Sequence, residues 1–119
     1  MFFLNGRNAA CRFCSLRCTS QETWPSLVKM DVEGAELGIL RGMSGVIERV
    51  SPILFVEVHD HLANTRSPSK DVAALLIDRG YDVREVDKMK GESGEIGMKP
   101  IEKDSSIGQN SVLVASHSA

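Results

Sequence analysis

An α/β fold, with parallel strands joined by crossover helices, is predicted from three features of the 119-residue sequence. Two short apolar runs, Leu27–Val32 and Ile53–Val58, flank a stretch in which apolar residues recur at helical spacing. A second helical segment leads into a third run, Tyr81–Val86. Acids sit near the carboxyl ends of the first two runs: Asp31 and Glu33 on one, and Glu57, followed by His59, on the other. Parallel strands connected in this way are right-handed and usually buried on both faces. The acids are therefore expected to face the crevice in which open α/β sheets hold ligands.

Residues 1–24 are expected to form a poorly structured or replaced segment, and residues 25–119 a single small domain. The segment carries Arg7, Arg12 and Arg17, has no carboxylate before Glu22, and sustains no apolar period. Its hydrophobic start, Phe2-Phe3-Leu4, gives way to Asn5-Gly6, too short for a secretory core or a membrane span. All three cysteines, Cys11, Cys14 and Cys18, lie here. A metal centre needs converging thiolates and usually a fourth ligand, which does not follow locally, and an odd count argues against a disulfide framework, so they are read as reduced thiols. A net charge of -2 and a pI near 5.9 give no electrostatic footprint for nucleic acid. A cytoplasmic chain with no membrane partner is expected.

Trp24-Pro25 punctuates the chain, since the residue before proline is pushed out of helical geometry. In the first strand Lys29 and Asp31 share one face, Val28, Met30 and Val32 the other. Gly34 releases it into a helix beginning near Ala35, with Glu33 and Glu36 where negative charge suits the positive end of the dipole. Ile39, Leu40, Met43, Val46, Ile47 and Val50 form its apolar face. Gly38, Gly42 and Gly45 weaken it. A break is expected near Gly42, with glycine in the left-handed end position and Ser44 capping the restart. Pro52 then opens the second strand. Ser67-Pro68 caps a second helix that carries Val72, Leu75 and Leu76 and ends at Gly80. After the third strand, Lys88–Gly108 reads as a long polar loop. Val112–Ala115 is the last strand and Ser-His-Ser-Ala a frayed tail.

Candidate chemistry concentrates on the first two strands. Glu57 interrupts an apolar run, and an isolated ionised carboxylate there is costly, so a partner is required: Lys29, His59, a backbone donor or a ligand. A purely structural Lys29–Glu57 pair is the plain alternative. His59 lies where the strand emerges, and an imidazole there suits proton removal from a hydroxyl. The word His59-Asp60-His61 suggests metal only weakly, because neighbouring residues of a strand point to opposite faces and further ligands would be needed. No metal ligand is assigned.

The segments Leu27-Val28-Lys29-Met30-Asp31-Val32-Glu33-Gly34-Ala35-Glu36, Leu40-Arg41-Gly42 and Pro52-Ile53-Leu54-Phe55-Val56-Glu57-Val58-His59 resemble the FkbM family of S-adenosylmethionine-dependent methyltransferases. The likeness follows the order of elements from about Pro25 to Ala115 and is closest along the two strands. It implies a Rossmann-like methyltransferase sheet, represented by its C-terminal half, with the final strand pair forming an antiparallel hairpin at the sheet edge. Residues 25–119 would then be a partial methyltransferase domain lacking the N-terminal cofactor-binding strands, because no glycine-rich turn precedes Asp31. The activity implied is O-methylation of a hydroxyl on a sugar or natural product with S-adenosylmethionine as donor. Asp31, Glu57 and His59 are the catalytic candidates. Asp31 is also the candidate for donor contact, and Glu33 and Glu36 are the candidates for substrate contact.

Lacking a neighbour, the first strand is expected to present a bare apolar edge that pairs with another chain or with a second copy. The chain is accordingly expected to be a truncated gene product, the result of a wrongly chosen start, or one half of a split enzyme, with little turnover of its own. Two other classes stay open: a non-catalytic half-domain completed by a partner, and a metal protein built on Cys11, Cys14 and Cys18.

Overall fold

The computed structural model describes residues 2–5, 25–60, 68–87 and 97–117. In chain order the elements are β1 (Phe2–Asn5), β2 (Leu27–Asp31), α1 (Glu36–Gly42), α2 (Ser44–Val50), β3 (Ile53–His59), α3 (Ser69–Asp78), β4 (Tyr81–Asp87), β5 (Gly97–Ile101) and β6 (Asn110–His117). They build an α/β fold on one six-stranded sheet of order β1-β2-β3-β6-β4-β5. Strands β1, β2 and β3 are parallel, whereas β6 runs antiparallel to both β3 and β4, and β5 antiparallel to β4.

The core follows from strand alternation. Val28 and Met30 of β2, Leu54, Val56 and Val58 of β3, and Leu113 and Ala115 of β6 are fully buried on one face. Leu40 and Met43 of the first helical stretch and Val72 and Leu76 of α3 close over them in the same cluster. Both crossovers, β2 to β3 and β3 to β4, advance across the sheet in one direction. Right-handed connections that advance in one direction fall on one face. Burial on both faces, as expected for parallel strands, therefore does not hold: Lys29 and Ile53 are exposed on the opposite face and Phe55 is only half-buried.

The edge expected to be bare is paired. Residues Phe2–Asn5 lie parallel to β2 in the register Phe2↔Val28 to Asn5↔Asp31, so that β1 occupies the position assigned to another chain. The last strand pairs antiparallel with β4, as implied, but it is inserted between β3 and β4 and lies inside the sheet. Its interior place suits its composition, since Ser111, Leu113 and Ala115 are all buried. The polar excursion after β4 contains a further strand, β5, which covers the β4 edge. Ser116 and His117 belong to β6 and are not part of a frayed end.

The helical breaks are also informative. The chain does break between Gly42 and Ser44, yet Gly42 is not left-handed and Ser44 makes no capping hydrogen bond. Amide-to-carbonyl bonds of helical type run through the joint, Met43 to Ile39 (2.8 Å) and Ile47 to Met43 (2.9 Å), so it is a kink within one helical path. The left-handed end falls at Ser51 (φ 43°), whose amide and hydroxyl both donate to the Ile47 carbonyl. Ser67 lies outside the described residues. The start of α3 is held by Asp60, whose carboxylate accepts the backbone N–H of Ser69 (2.7 Å) and its hydroxyl. Gly80 ends that helix with φ 86°, and a Cβ there would meet His117 Nε2 at 2.9 Å.

Two side chains clasp the sheet to its connections. Glu85 Oε1 accepts the Gly108 amide (2.9 Å) and the Ser111 hydroxyl (2.6 Å), tying β4 to the approach of β6. The hydroxyl of Tyr81, the sole tyrosine, donates to the Pro52 carbonyl (2.9 Å), and its ring meets the His117 imidazole edge-on at 5.5 Å. Burial pushes this phenol up to about 12. A group raised in the folded state stabilises the fold fully below its unfolded value, near 10, and that contribution is lost as pH rises through about 12. Ultraviolet titration should therefore show no phenolate below about pH 10 in the folded chain. Tyr81→Phe should cost about 1 kcal/mol in a denaturant melt at neutral pH.

Candidate functional site

The carboxyl ends of β2 and β3 lie side by side. Their register, Lys29↔Phe55 and Met30↔Val56, continues to place Asp31 beside Glu57. Because side chains alternate, Asp31, Glu57 and His59 all leave the sheet on the face opposite the core. On the far side of β3, the pairing His59↔Asn110 and the bond from the Asp60 amide to the Gln109 carbonyl (2.8 Å) hold the strand end in place.

The turn after β2 brings in a fourth group. Glu33 (φ 52°) and Gly34 (φ 102°) both adopt positive φ, which reverses the chain within two residues. Glu36, at the start of α1, is thereby folded under the strand end. It is 0% exposed, and its Oε1 accepts the Gly34 amide at 3.1 Å. Glu33 is left on the exposed outside of the same turn.

His59 is the hub of this arrangement. Its Nε2 lies 3.6 Å from Glu57 Oε1 and 3.8 Å from Asp31 Oδ1, and its Nδ1 lies 3.9 Å from Glu36 Oε1. The imidazole is 12% exposed, Glu57 30% and Asp31 38%, so the cluster opens to solvent on the side of the two outer acids. All three separations exceed hydrogen-bond length and act as ion pairs only when the ring is protonated. Among the described residues, Asp31 Oδ1 and Glu36 Oε2 are buried atoms that find no hydrogen-bond partner. A fully buried carboxylate oxygen left in that state is costly, and native structures keep few of them.

The three residues singled out as catalytic candidates are thus brought together. Glu57 has His59 at hand, and Lys29 lies exposed on the same sheet face. Glu36, read in the sequence as a helix-start acid and a weak substrate contact, faces the imidazole from below and is closed to solvent. Its only sequence signal was its place two residues after Gly34. Asp60 is spent on the α3 start, and His61 lies outside the described residues, as do Cys11, Cys14 and Cys18. A surface depression between α1 and α3, lined in part by Leu37, Arg41, Asp78 and Arg79, shares no residue with the cluster.

A protein-family model for the Methyltransferase FkbM domain matches residues 18–83, more than half of the chain. That span contains the whole cluster and both strands that carry it. No curated protein and no solved structure matches the chain. No helix among the described residues is long and apolar enough to cross a membrane.

The positive φ of Gly34 makes the turn intolerant of a side chain. Gly34→Ala is expected to destabilise the fold by about 1–2 kcal/mol in a denaturant titration, whereas Gly38→Ala, at a helical site with open space around it, should be neutral or stabilising.

Proposed function

The chain belongs to the FkbM methyltransferase family, and on that premise we propose that Asp31, Glu57 and His59 form the acceptor end of an S-adenosylmethionine-dependent O-methylation. The observation that carries this reading is their convergence on one imidazole at the carboxyl ends of two parallel strands, where open α/β sheets hold ligands. The donor supplies a sulfonium methyl: the acceptor oxygen bonds to that carbon as the carbon–sulfur bond breaks, and the sulfur leaves with the bonding pair.

What this chain contributes is control of the hydroxyl proton. No hydrogen bond joins Glu36 to Nδ1 at 3.9 Å, but a carboxylate on that side favours the tautomer protonated at Nδ1, which leaves the Nε2 lone pair facing the open side of the cluster. His59 takes the acceptor's proton at Nε2, and Asp31 and Glu57 stabilise the imidazolium that forms. The same two carboxylates accept hydrogen bonds from neighbouring hydroxyls, which suits a sugar or another polyhydroxylated small molecule as acceptor. The described residues hold no glycine-rich turn of the kind that cradles a nucleotide-like donor. Asp31 is therefore the one residue here assigned to the donor's side, by its place at the end of β2.

A second reading draws on the sheet face that carries no helix among the described residues, where Ile53 is 43% exposed and Phe55 half-buried. A non-catalytic half-domain would cover that face with a partner and would bind no donor alone. Donor titration by calorimetry separates the two.

Incubation with methyl-labelled donor and a panel of polyhydroxylated acceptors should place label on oxygen. His59→Ala and Glu57→Gln should each lower turnover by roughly 10²-fold, with donor affinity nearly unchanged. Equal turnover in both variants and the parent would remove the cluster from the reaction, and a folded chain that binds no donor would reject methyl transfer by this chain.

A further inference from the structure

We propose that the same cluster is a divalent-cation site, with Asp31 Oδ1, Glu57 Oε1 and His59 Nε2 as ligands and Glu36 as the carboxylate that orients the histidine. One ligand-capable atom from each of the three lies within 4.8 Å of the others. Ligands about 2.1 Å from an ion and roughly at right angles to tetrahedral spacing stand about 3.0–3.5 Å apart. The separations of 3.6 and 3.8 Å around Nε2 are too long for hydrogen bonds and within a few tenths of an ångström of that spacing.

Glu36 provides the independent observation. It comes from a different element, is 0% exposed, keeps its Oε1 3.9 Å from Nδ1, and has an Oε2 with no hydrogen-bond partner among the described residues. A carboxylate behind the far nitrogen is the usual support of a metal-bound imidazole, and although no hydrogen bond joins Glu36 to Nδ1 here, the 3.9 Å gap is the one such a support would close once an ion holds Nε2 and the proton sits at Nδ1. Charge points the same way. Three carboxylates surround one imidazole, so even a protonated ring leaves an excess of negative charge, which a divalent ion at the open side neutralises.

Two carboxylate oxygens with one imidazole nitrogen suit an ion of manganese or zinc type, with water completing the shell. The ion occupies the lone pair that His59 would use as a base, so ion binding and proton uptake at Nε2 are exclusive. Binding does not require methyl transfer and is tested without it.

The probe is Mn2+, which has little preference for thiolates such as those of Cys11, Cys14 and Cys18. Electron paramagnetic resonance titration of the full chain near neutral pH should give one bound ion, with pulsed spectra showing coupling to a single imidazole nitrogen. Affinity should fall at least tenfold in Asp31→Asn and in Glu57→Gln and remain unchanged in Asp104→Asn. Circular dichroism establishes that each variant is folded, and the nitrogen coupling of the parent needs no variant at all. No binding in the millimolar range, bound ion without nitrogen coupling, or equal affinity in the folded cluster variants would overturn the proposal.

Discussion

The register between β2 and β3 is the constraint on which the rest depends. With Met30 opposite Val56, the apolar sets of both strands point to the helices, and Asp31, Glu57 and His59 point away. A shift of one residue in β3 would turn Glu57 and His59 toward Leu40 and Leu76 and expose Leu54 and Val56, and a shift in β2 would do the same to Asp31 and Met30. Burial of those side chains, each worth about 1.5–3 kcal/mol, therefore enforces the placement of the cluster without any contact inside the cluster having to be strong. The acids are held where they are by the hydrophobic residues between them.

The turn after β2 adds what the strands cannot. A sheet delivers side chains at fixed spacing to one face, but a group beneath the strand ends has to come from a connection. Two consecutive positive φ values at Glu33 and Gly34 bring Glu36 back under the sheet edge, and the Gly34 amide fixes its carboxylate. Two positive φ values and a fully buried carboxyl group coincide at one point, beside the His59 imidazole.

Much of this was legible in the residues. Alternation in Leu27–Val32 and Ile53–Val58 was enough to put Asp31, Glu57 and His59 on a common face, because two adjacent parallel strands with those patterns have one sensible register. The depth of Glu36 was not legible, since an acid at a helix start is ordinary and only the turn geometry aims it inward. Strand β5 was missed because Gly97 and Pro100 are poor strand formers. It lies at the outer edge of the sheet, where a proline is tolerated. The run Phe2–Asn5 was too short to announce itself, and its pairing with β2 is decided by the vacant edge it fills. The one-sided placement of the described helices follows from connection handedness, which the order of elements contains but composition does not.

The insertion of β6 between β3 and β4 has a consequence for how the polypeptide is made. Strands β3 and β4 are separated by a gap that only residues 110–117 fill. During synthesis, therefore, the inner edges of both strands stay unpaired until the ribosome has released that segment, however well the earlier helices have formed. Completion of the sheet is a late event made from contacts far apart along the chain, and until it occurs two strand edges are open to other pairings.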